Sequence, residues 1–254
     1  WLESQFELDA HTGAIRGTLS DGLIVGPYPD RRPGLHNDLV RDVIGDTSRV
    51  DAAATVQSFV ESLVAEFVIW HLARTGLRNL VVAGGVFANV TLNRTLAELD
   101  AVDRLHVHPA MTDAGIALGA AAVTSADQGV APMPLRDPGL GPAYTDQECA
   151  EAFQREGYRV RRPTAAPELE LGAALARGEV VARFVGRAEY GPRALGNRSI
   201  LAPASDPQMP AALNRMLRRS TVMPFAPMAR ARDAAELFAD VPALAGPLRT
   251  MTAA

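Results

Sequence analysis

From residue 51 onward, hydrophobic positions along the chain follow two rhythms. Across Asp51–His71, Val56, Phe59, Val60, Leu63, Val64, Phe67 and Val68 recur three and four positions apart. That spacing predicts a helix with one core-facing side, capped by Asp51 and stopped by Gly76. The run Leu80-Val81-Val82-Ala83 predicts a buried strand; Gly84-Gly85-Val86 turns it into a helix reaching Leu99. Arg104–His108 predicts a second strand, Pro109–Thr112 a loop and Asp113–Val123 a helix. Strand, helix, strand, helix is the order of a parallel α/β sheet, whose ligands bind at the carboxyl ends of its strands. The Gly84-Gly85 and Thr112-Asp113 loops both fall at such ends.

The flanking segments are patterned differently. Residues 1–50 are mixed, with a strand-like Leu23-Ile24-Val25 and turns at Gly26-Pro27 and Arg32-Pro33-Gly34. Proline and glycine concentrate over residues 126–146, as linkers do, dividing the chain into units 1–130 and 146–254 joined by 131–145. In the second unit Asp146–Glu156 predicts a helix, Tyr158-Arg159-Val160 a strand and Glu168–Arg177 a helix ended by Gly178. Val180–Val185 predicts a buried strand, Ser199-Ile200-Leu201 another and Pro207–Arg219 a helix. Leu248-Arg249-Thr250-Met251 reads as the start of a strand. The chain opens at Trp1 and stops at Ala254, so a fragment is expected.

Composition narrows the class. The 254 residues are 48% hydrophobic and 21% charged, an ordinary globular balance. The net charge of −4 gives no basic field for nucleic acid or an anionic membrane. The single cysteine, Cys149, forms no internal disulfide and suggests a reducing compartment, so the cytoplasm is expected. No apolar run approaches a membrane span, and no signal-peptide pattern opens the chain.

The densest chemistry lies in Gly186-Arg187-Ala188-Glu189-Tyr190-Gly191-Pro192-Arg193-Ala194-Leu195-Gly196-Asn197-Arg198-Ser199-Ile200. Arginine's fixed fork of donors matches phosphate and carboxylate oxygens in pairs, and glycine lets backbone approach a ligand. Arg187, Arg193 and Arg198 therefore suit an anionic substrate, with a solvated loop of structural ion pairs as the plainer reading. Gly84, Gly85 and Asn89 suit a nucleotide's phosphate and ribose, or tight packing alone. Asp113 either caps amides or offers a hard oxygen to a divalent cation. His106 and His108 share one strand face, as a metal pair or beside solvent. Arg218 and Arg219 suit a ligand or, equally, a helix carboxyl end.

The run Gly186–Ile200, followed by Leu213-Asn214 and Pro224-Phe225-Ala226-Pro227, resembles the carboxy-terminal part of the O-carbamoyltransferase family. That family includes nodulation-type and antibiotic-tailoring enzymes. Leu80–Asn89 and Asp113–Ala121 look like the same family's larger domain, in the same order along the chain. The resemblance implies the C-terminal part of an actin-like ATPase domain, followed by a YrdC-like α/β domain truncated at its C-terminus. It implies a transferase that makes carbamoyl adenylate from ATP and carbamoyl phosphate, then carbamoylates the hydroxyl of a small acceptor. On this pattern Arg187, Arg193 and Arg198 hold the phosphates and carbamoyl group, and Gly84, Gly85, Asn89 and Asn214 bind the nucleotide. Asp113 matches a metal-binding aspartate, for iron, magnesium or zinc. Neither nucleic acid nor membrane is an expected partner, and a homodimer stays open.

The chain departs from the family pattern in two places. Residues 1–50 lack the family's metal-binding histidines and first phosphate loop; His11 and His36 are isolated. Arg218–Met223 stands where many relatives carry a lysine and a further arginine. The rival readings are a tRNA threonylcarbamoyl-type transferase and a non-catalytic nucleotide-binding module.

Overall fold

The computed structural model describes residues 6–17, 45, 47–131, 133–164, 166–220, 224–238 and 242–253. The expected strand at Leu23-Ile24-Val25, the turns after it and His36 lie outside them. A short antiparallel hairpin, β1 (Phe6–Leu8) and β2 (Ile15–Gly17), precedes a long helix, α1 (Arg49–Thr75). The sequence pattern gave no sign of the hairpin. Its tip rests on α1: Trp70 Nε1 donates to the Ala10 carbonyl at 3.0 Å, and Phe6 packs against Phe59.

Helix α1 starts three residues earlier than expected. Ser48, not Asp51, is its cap: the Ser48 hydroxyl accepts from the Asp51 N–H at 3.1 Å and donates to the Asp51 carboxylate at 2.7 Å. Ser48 has the extended backbone a cap requires, while Asp51 sits in the first turn and favours the helix dipole. Gly76, at φ +67°, ends the helix as expected, its N–H bonded to the Leu72 carbonyl. Val68 and Leu72 are buried against the core. By length and composition alone, this 27-residue helix is long and apolar enough to cross a membrane, which corrects the reading that no run approaches a span.

The expected parallel unit forms. β3 (Asn79–Val82) and β4 (Arg104–Val107) pair in parallel, Leu80 opposite Leu105 and Val82 opposite Val107, with α2 (Val90–Ala97) between them in sequence. The core is Val82, Leu92, Leu96, Val102, Leu105, Val107 and Met111, joined by Val68 and Leu72 of α1. β3 is buried on one face only: Val82 is 6% exposed and Val81 72%. Among the described residues nothing covers the outer face, so the continuous apolar run overstated its burial. A single 3₁₀ turn, Asp113–Gly115, leads into α3 (Ile116–Asp127).

Three further helices follow. α4 (Asp146–Arg155) opens with a complete capping box between Thr145 and Glu148, and carries the half-buried Cys149 in its first turns. α5 is Pro167–Ala176, and α6 is Met209–Met216, shorter at both ends than expected. Tyr158-Arg159-Val160 is irregular rather than a strand, its side chains exposed and its backbone without a partner strand among the described residues. β5 (Val181–Phe184) and β6 (Arg198–Leu201) form an antiparallel ribbon, Phe184 opposite Arg198. β5 alternates instead of being buried throughout, with Phe184 54% exposed.

After a short helix α7 (Ala234–Leu237), the chain returns to the first unit. A 3₁₀ turn at Pro242–Leu244 and helix α8 (Ala245–Arg249) pack on β4, burying Ala243, Leu244 and Ala253 in the core of the β3–α2–β4 unit. The strand expected from Leu248 is therefore the end of a helix and a turn, in which the Thr252 N–H reaches the Pro247 carbonyl at 3.0 Å. Buried Asn93 of α2 secures it, donating to the Thr252 carbonyl at 2.5 Å and the Phe87 carbonyl at 2.7 Å.

Candidate active site

The arginine-rich segment is the connection between β5 and β6, and its own polar groups shape it. Gly186, Gly191 and Gly196 all have positive φ, at +57°, +112° and +110°. Glu189 is the hub: one carboxylate oxygen accepts from the N–H groups of Leu195 and Asn197 at 2.7 Å and of Arg198 at 3.2 Å. Partial burial raises the Glu189 pKa, but these backbone bonds outweigh it and hold the carboxyl below its ordinary range. The loop thus carries a fixed negative charge at its centre.

The arginines divide by what they touch. Arg198 donates to the carbonyls of Val185, Gly186, Asn197 and Pro142, at 2.9–3.2 Å, and its guanidinium lies 3.6 Å from the Phe184 ring centroid. Arg183 of β5 donates to the Gly196 carbonyl. Arg193 reaches the first unit, its Nη2 donating to the Ala88 carbonyl at 2.9 Å, while its Nε is buried without a partner among the described residues. Arg187 is exposed, and among the described residues no carboxylate pairs with it. Arg187 is therefore the arginine of this loop best placed to meet a dissolved anion, whereas Arg198 builds the loop.

The loop is docked, not free. The Tyr190 hydroxyl lies 3.0 Å from His108 Nε2, and the two rings meet edge-on. A side chain at Gly191 would put its Cβ 2.4 Å from the Pro109 carbonyl oxygen. His108 and Pro109 directly follow β4, and Ala88 follows the glycine turn after β3. The arginine loop thus sits at the carboxyl ends of the parallel pair. The segment expected as a linker runs along its other side: Tyr190 N–H bonds to the Pro138 carbonyl, Ala188 N–H to Pro142, and Gly141 N–H to Ala188.

The remaining predicted residues surround this junction unevenly. Gly84, at φ +117° and ψ 153°, occupies backbone territory reserved for glycine and donates to the Met111 carbonyl at 2.7 Å, tying together the loops after β3 and β4. Gly85 opens a 3₁₀ turn, and both glycines are exposed. Asn89 is the α2 cap: its Oδ1 accepts from Leu92 N–H at 3.1 Å, and its amide exchanges bonds with Gln57 of α1. Asp113 is exposed at the first position of its 3₁₀ turn, and the described residues hold no group of three or more His, Cys, Asp or Glu that could bind a metal. His106 is exposed on β4, and His108 is engaged by Tyr190 rather than paired with it. Asn214 lies on α6 with its Oδ1 buried and, among the described residues, unpartnered, and Arg219 stacks over Phe225 of the Pro-Phe-Ala-Pro run. Sequence reasoning singled out neither Tyr190 nor the Pro138–Pro142 strap, because both act through contacts distant along the chain.

Comparison with known proteins matches the two sides of this junction to two parts of one family. Residues 32–122 match the family model described as Carbamoyltransferase N-terminus, and residues 172–253 match Carbamoyltransferase C-terminus. The chain belongs to the carbamoyltransferase family. Nodulation protein NolO of Bradyrhizobium diazoefficiens is 36% identical over 194 residues, covering 74% of this chain and 35% of that protein. Nodulation protein U of Azorhizobium caulinodans is 37% identical over 192 residues, covering 74% and 33%. The uncharacterised protein MJ1058 of Methanocaldococcus jannaschii is 32% identical over 211 residues, covering 78% and 33%. The chain thus spans about a third of the length of these relatives. Its arginine loop lies in the C-terminal match, and its docking partners Ala88, His108 and Pro109 lie in the N-terminal match.

Proposed function

We propose that this chain forms part of an O-carbamoyltransferase that activates a carbamoyl group with ATP at the arginine loop and passes it to an acceptor hydroxyl. The observation carrying this reading is the docked loop: a carboxylate-braced turn that carries the exposed Arg187 is held at the carboxyl ends of a parallel strand pair through Tyr190, Gly191 and Arg193. In the proposed first step, water takes the phosphate from carbamoyl phosphate, and the carbamate oxygen attacks the α-phosphorus of ATP, releasing pyrophosphate. In the second, the acceptor oxygen attacks the carbamoyl carbon, AMP leaves with the bonding pair, and the hydroxyl proton goes to solvent.

Two anionic substrates repel one another, so fixed cations lower the first barrier by neutralising charge and aligning attack. Arginine needs no pKa shift for this because it stays charged. Arg187 would meet the phosphates directly. Arg193, whose buried Nε has no partner among the described residues, would add a second cation from its anchor on Ala88, and Arg198 would keep the loop in shape. Gly84 and Gly85 leave backbone accessible to a nucleotide. An actin-like first domain and a YrdC-like second domain remain part of this proposal, as do a cytoplasmic site of action, a small hydroxyl-bearing acceptor and a homodimer. Asp113 would offer a divalent ion one carboxylate oxygen of the several such an ion takes. The described residues do not complete that site, and no step here runs through a metal.

The test is pyrophosphate release from ATP by the full-length protein, with and without carbamoyl phosphate. Release that depends on carbamoyl phosphate and drops about 100-fold in Arg187→Ala is expected, the scale on which one preorganised charge-stabilising group acts. Binding of ATP with no release under either condition would favour a nucleotide-binding module without catalysis. Release that requires tRNA would favour the threonylcarbamoyl-type transferase.

A further inference from the structure

Building on the carbamoyl-adenylate reading, we infer that Tyr190 and His108 are positioning residues that pin the arginine loop to the end of β4, and that this pin keeps the activated carbamoyl group on the protein until an acceptor arrives. Most of the loop's bonds are internal or reach the neighbouring strap, so its placement over the first unit depends on few contacts. Among the described residues these include the Tyr190–His108 hydrogen bond, the Arg193–Ala88 bond and the close approach of Gly191 to Pro109.

The pin is built rigidly. His108 is itself hemmed in, since a Cβ at Gly115 would lie 3.0 Å from its Cδ2 and 3.2 Å from its Nε2. Burial, with His106 nearby on β4, lowers the His108 pKa, and burial raises that of Tyr190. At neutral pH the pair is thus an uncharged imidazole against a protonated phenol, and the imidazole tautomer sets which of the two donates. The contact joins two uncharged groups, and its part in this proposal is to hold the loop in place.

Carbamoyl adenylate is a mixed anhydride. If the loop lifts from the strand ends, water reaches the carbamoyl carbon: its oxygen bonds there, the bond to AMP breaks, and carbamate and AMP leave. A loosened pin therefore converts retained intermediate into idle turnover while leaving activation intact. A residue that merely supported folding would not change that partition.

The experiment follows pyrophosphate release by the full-length protein with ATP and carbamoyl phosphate and no acceptor. The parent is expected to give one burst per site and then slow release. Tyr190→Phe keeps the ring contact and loses only the hydroxyl. It and His108→Ala are each expected to keep the burst and to speed the later release about five-fold, the change one net hydrogen bond supports. The double variant is expected to be no faster than either single one, because the two residues act as a unit. His108→Gln, whose amide can both donate and accept, is expected to restore slow release. Gly191→Ala attacks the same docking through a different contact and is expected to release quickly too. Late rates equal to the parent's in Tyr190→Phe, His108→Ala and Gly191→Ala, or additive effects in the double variant, would overturn the inference. Absence of a carbamoyl-phosphate-dependent burst in the parent would instead overturn the adenylate reading beneath it.

Discussion

Glu189 is the residue on which the arginine loop turns, since one oxygen gathers three backbone N–H groups from positions 195–198. Glu189→Gln keeps an acceptor but removes its charge, and charge-assisted bonds are about twice as strong as neutral ones. The expected cost at neutral pH is about 1–2 kcal/mol, read from the urea midpoint. The pH dependence has a definite sign. The folded pKa lies below the ordinary 4.5, so this stability is present above pH 4.5 and is lost as pH falls through the folded value. Parent and Glu189→Gln stabilities should converge in acid; a constant gap down to pH 3 would show that charge is not what Glu189 contributes. The sequence placed Glu189 within the right motif, yet nothing in its spacing distinguished a brace from a general base.

At the scale of elements, Asn89 joins α1 to α2. It caps α2 through Leu92 and trades amide bonds with Gln57, whose own amide also reaches Glu61. Asn89→Ala should cost about 1–2 kcal/mol, and Asn89→Ser should recover the capping share of that loss. ATP affinity measured on both variants separates two roles. Affinity that follows stability, and returns in Asn89→Ser, assigns the residue to the helix start. Affinity lost in the serine variant despite recovered stability assigns it to the nucleotide. The helix stop at Gly76 was readable in sequence, whereas the capping box at Thr145–Glu148 appeared only in the structure. The start of α1 was misread because Asp51, three residues after the true cap Ser48, is also a favoured cap residue.

Across the whole molecule, the C-terminal segment completes the core of the first unit. Leu244 and Ala253 lie among Val82, Leu92 and Leu105, and the Asn93 amide bonds to the Thr252 carbonyl, 159 residues away in sequence. Asn93→Ala leaves two carbonyls without their donor and should cost about 2 kcal/mol or more. Amide exchange across 245–253 should rise in step with the loss of global stability. Exchange there that stays at the parent's rate would mean that apolar packing alone holds the segment. The same closure places the arginine loop, because the chain leaves the β3–α2–β4 unit, builds the β5–β6 ribbon and then returns.

What the sequence determined by itself is what short-range physics controls. Periodicity set α1 and the parallel pair β3–β4, glycine marked the turns that require positive φ, and clustered arginines marked the loop between β5 and β6. Tertiary structure alone decided how those parts are used. Of the three arginines singled out, Arg198 satisfies four backbone carbonyls, Arg193 bonds to Ala88, 105 residues away, and Arg187 stays open to solvent. Tyr190 meets His108 across 82 residues. The physical reason is range: backbone propensity and side-chain spacing act over a turn or two, whereas a donor's partner depends on which distant carbonyl the packed core brings within about 3 Å.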